Sequence, residues 1–134
     1  MGVGANQVLT LPFVAAEAMT KYTAVKLNGV DQGVDLADTI GDACVGVVQE
    51  TVSADDATAG RIVAVAVMGT TVIEAGAALT TPGTRVRASA TGQAVTLAAT
   101  TAEQNQLGIT LTAAGAQGDW LTILLTPGVS YTTI

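Results

Sequence analysis

Gly60-Arg61-Ile62-Val63-Ala64-Val65-Ala66-Val67-Met68-Gly69 and Gly118-Asp119-Trp120-Leu121-Thr122-Ile123-Leu124-Leu125-Thr126-Pro127-Gly128 are two versions of one element, an apolar strand bounded by glycines. Each follows, after a short loop of small residues, a glycine-led strand: Gly46-Val47-Val48-Gln49 and Gly108-Ile109-Thr110-Leu111. The doubling makes residues 45–69 and 107–128 an internal repeat. Equivalent copies would match Val63, Val65 and Val67 with Leu121, Ile123 and Leu125 in burial. Architecture is written plainly in this pattern, and chemistry is not.

Working outward, strand signals continue in both directions. Gln7 to Val14 is extended. Tyr22 to Leu27 alternates, and Asn28-Gly29 follows it, a turn dipeptide because both residues tolerate positive φ. Gly33 to Leu36 and Cys44 to Gln49 come next, then a polar, acidic loop over Ser53 to Ala59. Thr70 to Glu74 continues past Gly69 after an expected bulge or sharp bend. Thr84 to Ser89 places Arg85 and Arg87 on one face and Val86 on the other. Gln93 to Ala98, Leu107 to Thr112, Trp120 to Thr126 and Val129 to Thr133 complete the set, with Ala99 to Gln106 as a polar connection. Turn signals every 8–12 residues or so, with short strands between them, predict an all-β small barrel or sandwich with little helix. Residues 20–134 read as a single β domain. Residues 1–19 read as an extended N-terminal arm that lies outside the core.

The 134 residues are 49% hydrophobic but include only four aromatics, Phe13, Tyr22, Trp120 and Tyr131. Small aliphatic side chains of this kind fill a thin core and line no roomy pocket. Charged residues make up 12%, about half the usual share. A surface so poor in charge points to burial against other copies or a larger assembly. The net charge of −6 and five scattered basic residues exclude a nucleic-acid stripe and disfavour an anionic membrane surface. The N-terminal residues have neither the charged nor the hydrophobic region of a signal peptide, so synthesis in a cytoplasm is the expectation. Cys44, the one cysteine, makes no internal disulfide and reads as a buried, inert thiol.

Catalysis finds no footing. The absence of histidine removes the usual general base, the usual metal ligand and every Ser-His or Cys-His pair. Phosphate-binding and nucleophile-elbow motifs are missing. Asp31, Asp35, Asp38 and Asp42 supply oxygens of the type that Ca²⁺ takes, but their spacing is not that of an EF-hand, and Asp beside Gly is turn chemistry. Glu50 and Glu74 would make an acid pair of glycosidase type only with an aromatic platform for a sugar. The expectations are therefore no enzyme, no metal and no cofactor.

Attachment remains. Val8, Leu11, Phe13 and Val14 are apolar residues of the arm, and Phe13 would either anchor in a neighbour's pocket or fold back on its own barrel. Arg85 and Arg87 read as a solvated face, with docking on an acidic partner as the alternative. Trp120 reads as core, like its repeat counterpart Ile62, with an interface hot spot as the alternative. Tyr131 completes the candidate interface set.

Tyr22 to Leu27, Ala43 to Gln49, Ala59 to Val65, Glu74 to Leu79, Thr91 to Ala94, Leu107 to Ile109 and Gly118 to Leu125 resemble, in that order, blocks of the small capsid decoration, or cement, proteins of tailed bacteriophages. The resemblance covers about residues 20–128. It implies a β-rich structural protein on the outer surface of the virion capsid, synthesised in the host bacterial cytoplasm. There it would bridge major capsid protein subunits and associate with its own copies, as a trimer or a dimer. The acidic Ser53 to Thr58 insert and the long arm depart from the pattern. A carbohydrate- or receptor-binding β module of a phage tail or fibre is the alternative.

Overall fold

The computed structural model describes residues 7–98 and 100–132, with side chains for 9–98 and 103–128. Strand accounts for 52% of the chain and helix for 4%, so the all-β class predicted from the turn spacing holds. The elements are β1 (Gln7–Ala15), β2 (Ala24–Leu27), β3 (Gly33–Leu36), β4 (Gly46–Val48), α1 (Ala54–Thr58), β5 (Ile62–Glu74), β6 (Arg85–Ala88), β7 (Ala94–Thr96), β8 (Thr100–Thr110) and β9 (Trp120–Thr132).

The strand order is β1-β3-β2-β4-β5-β9-β8-β6-β7, and β1 also pairs with β5. That extra pairing closes β1, β3, β2, β4 and the first half of β5 into a five-stranded barrel. The second half of β5 leads a second sheet through β9, β8, β6 and β7. This sheet curls until a parallel bridge between Ala75 and Ala94 joins its ends.

Gly69 is where β5 passes from one unit to the other. Its φ of 92° is closed to most side chains, and the strand bends there as the sequence predicted. Odd-numbered residues are buried on both sides of it, but in different cores. Val63 and Val65 point into the barrel core with Phe13, Ala15, Val25, Val34 and Val48. Beyond the bend, Ile73 joins a second core with Leu121, Ile123, Leu125 and Val86. Ala24, Val47 and Ala66, on the outer wall of the barrel, belong to this second core as well, so the two units are packed together and β4 is buried on both faces.

The two glycine-led pairs share a local device. A methyl group on Gly46 would strike the carbonyl oxygen of Ala66, and one on Gly108 would strike that of Leu124. Each glycine lets its strand approach the long strand next to it. Val63, Val65, Leu121, Ile123 and Leu125 are buried, while Val67 is half-buried.

Three expectations need correction. The arm is not outside the core: Gln7–Ala15 is extended, but it pairs with β5 along its length and with β3 at Val14 and Ala15. Residues 1–6 lie outside the described residues. The acidic loop holds a short helix, because Ser53 and Asp56 form a reciprocal capping box around the first turn of α1. The polar connection ahead of Leu107 is the first half of β8, and β9 runs unbroken through Pro127-Gly128, opposite Gln106.

Candidate attachment surface

Pairing with β5 decides what β1 presents. Phe13 sits opposite Val63 with only 7% of its surface exposed, so it folds back on its own barrel. Pro12 and Val14 alternate with it and face outward, next to Ile62 and Ala64 of β5. Together they line two adjoining grooves. One, of about 380 Å³, is bounded by Thr10, Leu11, Pro12, Glu50, Ile62, Val63 and Ala64. The other, of about 200 Å³, is bounded by Pro12, Phe13, Val14, Gln32 and Ile62. Ile62 links them and is 63% exposed, which corrects its reading as core.

The second edge of β1 is mostly unpaired among the described residues. The Val14 amide donates to the Gln32 carbonyl at 2.6 Å, and the Gln32 side-chain amide donates to the Pro12 carbonyl at 3.1 Å. Even-numbered backbone groups thus face away from β5. Pro12 brings no N–H to that edge, which limits strand addition there to the segment ahead of it. Leu9 and Leu11 are exposed beside this edge.

Charge at the rim is locally compensated. Arg61 reaches Glu50 and Asp56 at 2.9 Å each, and this guanidinium holds the Asp56 carboxyl below its ordinary value. The other acidic cluster is compensated too. Lys26 Nζ lies 2.6 Å from Asp38 and 3.4 Å from Asp42, and its hydrogen bond lowers the Asp38 carboxyl. Asp42 Oδ2 accepts from the amides of Asp38 and Thr39, which is turn chemistry. No group of three or more His, Cys, Asp or Glu able to hold a metal occurs among the described residues. Glu50 and Glu74 are on different units, the first bound by Arg61 and the second opposite Trp120.

The remaining candidates lie in the second unit. Arg85 is exposed; Arg87 is half-buried, donates to Gln104 at 3.4 Å and lies beside Gly41. The pair is therefore not one solvated face. Trp120 is 48% exposed, which overturns its reading as core. As the first residue of β9 it projects beyond the packed layer, as Ile62 does at the start of β5. The structure also adds a residue that the sequence did not single out, Tyr22, which packs against Trp120. Its φ of 69° is unusual for a non-glycine residue. A hydrogen bond to the Val48 carbonyl and one from the Glu74 amide, both 2.8 Å, hold it there. Nothing local in the sequence marks this contact. The side chains of Val8 and Tyr131 lie outside the described residues.

A solved structure has the same fold. The head fiber gp8.5 N base of bacteriophage phi29 matches with a TM-score of 0.65 at 14% identity, over 88% of this chain and 93% of that one. No family model matches the chain, and no curated relative matches it.

Proposed function

We propose that the protein is a structural component of a tailed-phage head: a decoration, or cement, protein that binds the outside of the shell and bridges major capsid protein subunits. The observation that supports this most is the likeness to a head fiber base over nearly the full length of both chains. It agrees with the ordered sequence blocks that resemble decoration proteins. A structural role asks for rigidity and exposed apolar surface and for no catalytic residues, so in this reading the protein is not an enzyme. The outer groove of β1 and β5 and the free edge of β1 suit docking on a capsid subunit, the edge by strand addition. Many such contacts of modest strength reinforce one another on a shell.

The comparison also favours a second reading, the base of a head-attached fibre. Quantitative mass spectrometry of purified virions, with heating of heads that lack the protein, separates the two. A cement protein is present in hundreds of copies, to within order of magnitude, as its multivalent role requires, and its loss makes heads burst at lower temperature. A fibre base leaves head stability unchanged. Absence of the protein from virions overturns both.

A further inference from the structure

We infer that Arg87 is the receptor for a carboxylate that its own chain does not supply. The second sheet repeats the barrel strand for strand, so the barrel shows what the second sheet lacks. Val25 pairs with Leu36 and with Gly46 in the barrel; Val86 pairs with Thr96 and with Gly108 in the second sheet. Ala15 lies opposite Val34 in parallel, and Ala75 bridges Ala94 in the same way. Val47 lies opposite Ala66 as Ile109 lies opposite Leu124. The Ala37 amide donates to the Ala24 carbonyl at 3.1 Å, and the Leu97 amide donates to that of Arg85 at 3.2 Å. β6 therefore matches β2, with Arg87 in the place of Lys26, and Ala98 follows Leu97 as Asp38 follows Ala37.

Both places carry a cation, but in different surroundings. Lys26 stands among three carboxylates: Asp35 across the strand pair, with Asp38 and Asp42 at 2.6 and 3.4 Å. Around Arg87 the equivalent residues are Val95, Ala98 and Gln104. Val95 takes the cross-strand position. Gln104 Oε1 accepts from the Ala98 amide at 2.8 Å, as Asp42 Oδ2 accepts from the Asp38 amide at 3.1 Å. The cation is kept and all three acids are gone. The one hydrogen bond of the Arg87 side chain among the described residues, Nη1 to Gln104 Oε1 at 3.4 Å, is long and goes to a neutral amide, so it leaves the charge uncompensated. Arg87 is half-buried, and its Nε is sealed from solvent with no acceptor, a costly arrangement without an anion. The barrel specifies the group that fits: a carboxylate where Asp38 stands, which is beside Ala98. Such a group would reach the Nη edge of the guanidinium, whose planar fork suits a carboxylate better than the ammonium of Lys26 does.

The site stands without the head-docking reading, and its first tests need no heads. Ala98→Asp supplies within the chain the carboxylate that Asp38 gives Lys26. It should raise the melting temperature of the whole chain by about 2 °C, and Arg87→Gln should cancel that gain. No rise, or a rise that survives Arg87→Gln, overturns the inference. Acetate replacing chloride at constant ionic strength is the free probe. In heteronuclear NMR it should move the Arg87 Nε–H signal and spare that of Arg61, which Glu50 and Asp56 already hold. Ala98→Asp should silence the Arg87 response; equal movement of both arginines overturns the inference. Purified heads then separate the sources. With a capsid side chain as the occupant, Ala98→Asp and Arg87→Gln each weaken head binding about tenfold. Unchanged binding beside a kept acetate response assigns the site to a small free carboxylate. A wild type that binds no heads overturns the head reading, while the melting and acetate tests still decide this one.

Discussion

The rings of Tyr22 and Trp120 meet edge to face, with centroids 4.9 Å apart and planes at 82°. They join the barrel to the second sheet, and Lys21 Nζ lies 5.3 Å and 5.1 Å from the two ring centroids. Trp120 therefore acts as a half-exposed clasp between units. Trp120→Ala should destabilise the protein by about 1 kcal/mol, the worth of one aromatic pair and an exposed cation–π contact. Urea denaturation measures it. A loss of about 3–5 kcal/mol would mark a core tryptophan instead.

Phe13 and Ile62 separate folding from the proposed docking on heads. Phe13→Ala empties a buried site and should cost about 3–5 kcal/mol, and deletion of residues 1–15 removes a barrel strand and should prevent folding. Ile62→Asp alters an exposed groove residue and should change stability by less than about 0.5 kcal/mol. It should nevertheless abolish binding to heads. A folded deletion variant, seen by circular dichroism, would return β1 to the status of a free arm.

Gly46 and Gly108 should be intolerant for a shared reason. An added methyl meets a backbone carbonyl in each case, and backbone moves only with the whole strand. Gly46→Ala and Gly108→Ala should each cost about 2 kcal/mol or more, in the range of overpacked cores. Gly60→Ala is the control. Its φ is +75° but nothing lies within 4 Å, so strain alone should cost about 1 kcal/mol. Equal melting temperatures for all three would refute the close approach of the strands.

Cys44 gives the protein an alkaline limit. Burial, with the nearby Asp42 carboxylate, pushes the thiol from its ordinary 9.0 up to about 12. A group whose folded value is raised stabilises the fold fully below its unfolded value and loses that contribution as pH rises through the folded one. The window is therefore pH 9.0 to about 12. Over that range the wild type should lose stability relative to Cys44→Ala, with urea midpoints converging or crossing. Parallel midpoints would show that the thiol is not shielded.

The sequence by itself determined what is local. The alternation in Ile62 to Met68, the Asn28-Gly29 turn and the bend at Gly69 each follow from the sterics of a few adjacent residues, and they sufficed for the all-β class. The candidate attachment residues Leu11 and Val14 were legible as apolar and extended. Which strand they pair with was not, because an alternating strand offers the same backbone edge to any partner. Only the tertiary structure decided that β1 closes the barrel against β5, which turned Phe13 inward and left Pro12, Val14 and Ile62 outside. It also decided the fate of Trp120. Strand pattern predicts which faces alternate, but the first residue of a strand is buried only if the opposing layer extends that far, and here the layer ends at Glu74 and Tyr22. Long-range closure sets where a core stops, and no window of sequence carries that information.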